Sequence, residues 1–112
     1  MAFNQSLQME QLSDSAYYIL LALLTPKHGY AIMKYIEELT EGEVKMGPAT
    51  LYTLIKKLQK AGSILLNEDE DDRRKTYQIT ASGTALVEAE IERRLRMSKH
   101  GSIAQMKARE EN

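Results

Sequence analysis

Four lysines, Lys45, Lys56, Lys57 and Lys60, lie in the stretch from Lys45 to Asn67, which contains no acidic residue. Stepping about 100° per residue along a helix places Leu51, Leu54, Ile55 and Leu58 in one apolar stripe. The opposite face then carries Ala49, Thr53, Lys56 and Lys60, flanked by Thr50, Tyr52 and Lys57. Ammonium groups in such an array neutralise phosphates and release counterions, and short Thr and Ala side chains let a backbone come close to base edges. A helix N-terminus adds free N–H groups and partial positive charge. The chemistry is therefore that of polyanion binding. The plainer reading is a solvated helix face whose lysines serve solubility. A second basic cluster, Arg73, Arg74 and Lys75, follows the acidic run Glu68-Asp69-Glu70-Asp71-Asp72.

Other chemistry finds little support. The chain has no Cys, which removes thiol catalysis, Cys-based metal sites and disulfides. His28 and His100 are the only histidines, and no carboxylate stands at a ligand spacing from either, so no metal or cofactor is expected. His28, just before Gly29, is expected to be structural. The acidic run lacks the alternating ligands, turn glycine and closing Glu of an EF-hand loop. There is no phosphate-cradling Gly-rich loop and no nucleophile elbow, and an enzyme is not expected. Tyr17, Tyr18, Tyr30, Tyr35 and Tyr52 gather in the helical part, as core or as the lining of an apolar pocket.

The elements that must position the basic face follow from periodicity. Ser13 or Asp14 caps a helix across Ala16–Leu24, which is apolar all round and so belongs in the middle of the core. Thr25-Pro26 stops it. A second helix runs from Tyr30 to about Leu39, with Ile32, Ile36 and Leu39 inward, and ends at Gly42. Gly47-Pro48 opens the third, basic helix and Gly62 closes it. Ile64–Leu66 and Arg73–Thr80 read as two strands of a hairpin with the acids in its turn. Thr80 caps a last helix, which Gly101 ends or bends. Residues 1–12 read as a frayed arm or an extra helical turn, and Ala104–Asn112 as a fraying end. The expected fold is mainly α with a small β-hairpin: a winged helix-turn-helix followed by a long C-terminal helix. Residues 1–82 form the winged-helix, DNA-binding domain and 83–112 a dimerisation helix and tail.

On that last helix Val87, Ile91 and Leu95 make an apolar ridge amid Glu88, Glu90, Glu92, Arg93, Arg94 and Arg96. Burying such side chains is worth roughly 1.5–3 kcal/mol each, which predicts a second copy of the chain covering them. A two-fold dimer would also set two recognition helices about 34 Å apart, one turn of DNA, and predicts an inverted-repeat operator.

The sequence resembles the PadR family of bacterial transcription regulators. The resemblance rests on Tyr18–Leu24, His28-Gly29-Tyr30 and Gly47-Pro48-Ala49-Thr50-Leu51-Tyr52. It continues through Leu58 with Gly62, and Arg73–Thr80 leading to Gly83. It runs from about Tyr17 to Leu95. It implies a winged-helix DNA-binding domain, dimerisation through the C-terminal helix, and often a small-molecule effector. The single long final helix is similar to that of the short members of the family. Ala49 replaces the usual Gly, and the wing turn is unusually acidic: a tip directed into solvent, or a brake on non-specific binding. The resemblance motivates an aromatic or amphiphilic effector between the first and last helices, lined by Tyr17, Tyr18, Arg94 and Met97; the alternative is a closed, packed interface. The expectation is a DNA-binding repressor that acts as a homodimer. The alternative is a ligand- or partner-binding module on the same scaffold without DNA binding.

The net charge of -1 does not itself advertise nucleic acid. The longest apolar run is far short of the ~20 residues needed to span a bilayer, and no signal-like segment opens the chain. A soluble cytoplasmic protein, with no membrane partner, is the expectation.

Overall fold

In the computed structural model, which describes residues 12–69 and 72–111, helix α1 (Asp14–Ala22) takes the central place its apolar sequence demands. Ala16, Ile19, Leu20, Ala22 and the following Leu23 are all buried. Of the two candidate caps, Ser13 serves: its hydroxyl accepts the Ala16 N–H at 3.1 Å. Asp14 then stands in the first turn, where the helix dipole favours a negative charge. The helix ends before Leu24, whose side chain is exposed. Lys27 closes that end. Its ammonium donates to the Ala22 carbonyl at 2.7 Å and to Thr25 Oγ1 at 2.6 Å, and it lies 4.5 Å from the Tyr35 ring centroid. Burial pulls its pKa below the ordinary lysine value.

Helix α2 (Gly29–Leu39) buries Ile32 and Ile36. Leu39, expected as the third inward residue, is exposed instead, because α2 runs on past the core before it turns. His28 is the N-cap, accepting the Ala31 N–H through Nδ1 at 3.4 Å. The C-terminal closure pairs Gly42 N–H with Glu37 O at 2.8 Å and Glu41 N–H with Glu38 O at 3.2 Å. This closure needs a left-handed residue, and here that residue is Glu41, at φ 52. A Cβ in that region costs about 1 kcal/mol or more, whereas glycine adopts it freely. Glu41→Gly is therefore expected to stabilise the fold by up to about 1 kcal/mol, read as a higher midpoint in urea at unchanged slope. A lower midpoint would refute this account of the turn.

Helix α3 (Pro48–Lys60) begins at Gly47-Pro48, as the sequence indicates. It ends with Ser63 N–H on Leu58 O at 2.9 Å and Gly62 N–H on Gln59 O at 3.0 Å. There the left-handed residue is Gly62, at φ 78. Leu51, Ile55 and Leu58 are buried against α1, while Leu54 is half-buried at the edge of the stripe.

The wing is β2 (Ile64–Asp69) and β3 (Asp72–Ile79), antiparallel with Ile64 opposite Ile79 and Leu66 opposite Tyr77. It is more than a hairpin. A two-residue strand, β1 (Lys27–His28), pairs with β3 through Lys27 opposite Tyr77 and His28 opposite Thr76, giving the sheet order β1-β3-β2. The strand that leads into α2 is thus stitched to the wing.

Helix α4 (Ala81–Glu111) is continuous. Thr80 caps it, its hydroxyl accepting the Gly83 N–H at 3.1 Å while donating to Gly62 O at 2.7 Å. One side chain thereby joins the end of α3 to the start of α4. Gly83 permits close packing here: a Cβ would run into the Ser63 carbonyl oxygen. Gly101 neither ends the helix nor opens it, since one glycine costs only ~1 kcal/mol in a long helix. The 82/83 boundary expected between two units falls within the first turn of α4. Gly83, Val87 and Glu90 pack on the winged-helix core. The expectations for residues 1–11, Glu70, Asp71 and Asn112 lie outside the described residues.

Candidate nucleic-acid interface

The burial of Leu51, Ile55 and Leu58 fixes the roll of α3, so its opposite face must point outward. Ala49, Thr50, Thr53, Lys56, Lys57 and Lys60 are all exposed on it. The Thr53 hydroxyl donates to the Ala49 carbonyl at 2.9 Å, and the side chain remains exposed. Lys45, in the approach to α3, is exposed and stands 3.9 Å from Glu37, a loose surface pair. Such pairs contribute little and release their partners readily.

Tyr52, expected at the flank of the outward face, is exposed there and leans toward α2. Its hydroxyl lies against Gly29, where a Cβ would collide with Oη. The ring packs on the opening of α2, and the His28-Gly29-Tyr30 and Leu51-Tyr52 motifs turn out to be two sides of one contact. Lys75, on β3, is exposed beside it. Arg73 and Arg74 belong to β3, while their side chains lie outside the described residues. For the acidic turn, Glu68 is exposed.

Val87 was expected on the ridge for a second copy. It is 2% exposed within the chain's own core, where α4 packs against α1. Ile91 and Leu95, at 46% and 59% exposure, are left as the outward ridge, joined further along by Met106.

The four residues expected to line an effector site lie around the junction of α1 and α4, and each already has a partner within the chain. The Arg94 guanidinium lies 4.3 Å from the Tyr17 ring centroid and pairs with Asp14 at 2.7 Å. Tyr17 and Tyr18 are 5.7 Å apart, ring to ring. Met97 Sδ accepts from Arg93 Nη1 at 3.0 Å. At the centre is Glu90, which composition alone does not separate from its charged neighbours. It is 2% exposed and accepts from the Leu12 N–H at 3.0 Å, from Arg93 at 2.8 Å and from Arg94 at 3.2 Å. Burial works to raise its pKa. The Arg93 and Leu12 hydrogen bonds and the two guanidinium charges outweigh that, and the carboxyl sits below its ordinary value. The available signal was spacing: Gly83, Val87 and Glu90 share one helix face.

Among the described residues no group of His, Asp and Glu side chains is placed to hold a metal ion. No described helix is long and apolar enough to cross a membrane.

A three-helix core with a basic third helix, a β wing and an added two-residue strand is the winged helix-turn-helix class. Residues 19–89 match the family model described as the transcriptional regulator PadR-like family. The chain belongs to that family. Among solved structures it is similar to a transcriptional regulator from Clostridium thermocellum, at 26% identity and TM-score 0.68, over 80% of this chain and 89% of that one. It is similar to Bacillus subtilis PadR in complex with operator DNA, at 24% identity and TM-score 0.62, over 72% of this chain and 48% of that one. A PadR family regulator from Eggerthella lenta matches at 23% identity and TM-score 0.61, over 92% and 91%. No curated protein matches the chain.

Proposed function

We propose that this transcriptional regulator is a repressor that binds an inverted-repeat operator in double-stranded DNA as a homodimer, in the cytoplasm. The observation that carries this reading is the outward face of α3, with Lys56, Lys57 and Lys60 beside Ala49, Thr50 and Thr53, held in place by the buried Leu51, Ile55 and Leu58 on its other side. Lys45 and the Arg73, Arg74 and Lys75 segment of β3 extend the basic surface to either side. That the similar B. subtilis PadR was solved with operator DNA supports the same role here. Lysine and arginine groups position the protein on phosphates, and Thr50 and Thr53 read base edges. Ile91 and Leu95 meet the same residues of a second copy, with Val87 supporting them from inside. A small aromatic or amphiphilic effector acts at the α1–α4 junction, where Tyr17, Tyr18, Arg94 and Met97 lie, and releases the DNA.

Fluorescence anisotropy on duplex DNA from upstream of the regulator's own gene, across a salt series, tests the reading. With on the order of 6–10 phosphate contacts per dimer, log affinity should fall linearly and steeply with log salt. Lys56→Ala should weaken all sequences alike, and Thr53→Ala should change the order of preference among them. A flat salt response would point to a module that binds a ligand or protein partner instead.

A further inference from the structure

A cleft of about 660 Å³ opens where α2, α3 and β3 meet, at the edge of the outward face of α3. Gly29 and Tyr30 border it from the first turn of α2, Tyr52 and Lys56 from α3, and Lys75 and Tyr77 from β3. Its charge is of one sign, for two lysines line it and no carboxylate does. The Ala31 N–H is taken by His28, so the Gly29 and Tyr30 N–H groups at the opening of α2 have no partner among the described residues. That by itself is only a helix end. The independent observation is Tyr77. It is 7% exposed, yet its hydroxyl makes no hydrogen bond among the described residues. No described side-chain polar atom is sealed from solvent without a partner, so the Tyr77 hydroxyl keeps its solvent access, and the cleft it lines provides it. A phenol held in this way, with its donor free in a cleft that two lysines also line, is arranged for an anionic acceptor.

We infer that this cleft seats one backbone phosphate of the bound DNA, held by the Tyr77 and Tyr52 hydroxyls, Lys56, Lys75 and the opening of α2. The inference rests on the DNA-binding reading and deepens it: three separate elements grip one phosphate and so fix how far α3 enters the groove. Burial and the facing Tyr52 raise the Tyr77 pKa, so the hydroxyl remains a protonated donor throughout the neutral range. Only glycine at position 29 leaves space for the Tyr52 hydroxyl at the rim.

The test uses the full chain and a random-sequence DNA duplex, since a phosphate contact is blind to sequence. Tyr77→Phe removes the donor and keeps the ring, and its thermal midpoint should match the wild type. Its affinity for the random duplex and for the upstream DNA should fall alike, by at least about 5-fold, a modest expectation for a hydrogen bond to a charged group. Its salt slope should be unchanged, because a neutral phenol displaces no counterion. Lys75→Ala should lower the affinity and also reduce the slope by about 1 per seat. Unchanged affinity in Tyr77→Phe, with wild-type binding intact, overturns the seat alone. A wild type that ignores duplex DNA overturns the DNA-binding reading as well. Inorganic phosphate that binds tightly and competes with the duplex in a Tyr77-dependent way would assign the cleft to a small phosphorylated ligand and overturn the inference.

Discussion

Ile91→Asp combined with Leu95→Asp is expected to give a folded monomer whose affinity for a full operator is lower by about 100-fold or more, through loss of the linked second site. Neither side chain supports the chain's own core; both are roughly half exposed on α4. In the proposed dimer four such side chains, two from each copy and each about half exposed in the single chain, would together gain roughly 3–6 kcal/mol on burial. An aspartate at each position replaces that gain with like charges facing across a two-fold axis. The circular dichroism spectrum and melting of the monomer should change little, since Val87 and Glu90, which tie α4 to the core, are untouched. Sedimentation and gel shifts on one sample decide the matter. A monomer that keeps wild-type operator affinity would disconnect dimerisation from DNA binding, and a wild-type monomer would remove the dimer.

Glu90→Ala is expected to cost about 2–3 kcal/mol of stability. It strips the acceptor from the Leu12 N–H and leaves Arg93 and Arg94 facing a hole. Those guanidinium groups are each about a quarter exposed and can rehydrate, which keeps the loss below that of a fully buried pair. The same carboxylate sets a pH dependence. Its folded pKa is depressed, so its contribution is complete above the unfolded value of about 4.3 and is lost as the pH falls through the lower folded value. Urea titrations from neutral to acid pH should therefore show a steeper acid decline in the wild type than in Glu90→Gln. Parallel curves would mean that Glu90 gains nothing from its arginines.

Periodicity located every long element, because the apolar stripes of α2 and α3 and the all-apolar α1 leave little choice of fold. It had no purchase on β1: two residues, Lys27 and His28, have no period, and only the pairing with Tyr77 and Thr76 makes them a strand. Helical spacing put Val87 on the ridge with Ile91 and Leu95, but it could not say how many turns of α4 the core would claim. The basic face of α3 was legible for the same reason its buried face was, since the two are opposite sides of one wheel. The lean of Tyr52 was not. A tyrosine at the flank of that wheel can lean either way, and its direction is decided by a glycine more than twenty positions earlier in the chain. Glu90 was hidden among charges that look alike in sequence and differ only in what α1 brings against them.

The interlock of Tyr52 with Gly29 bears on any attempt to rewrite the regulator's target by grafting. Recognition helices invite transplantation, since their outward residues look independent of the scaffold beneath. Here the graft has a keyed edge. A donor helix with a smaller residue in place of Tyr52 would leave a notch over Gly29, and a scaffold with any side chain at position 29 would push Tyr52 out of its slot and tilt the helix that carries it. The exchangeable unit is therefore the α2 opening together with α3, carried across as one piece.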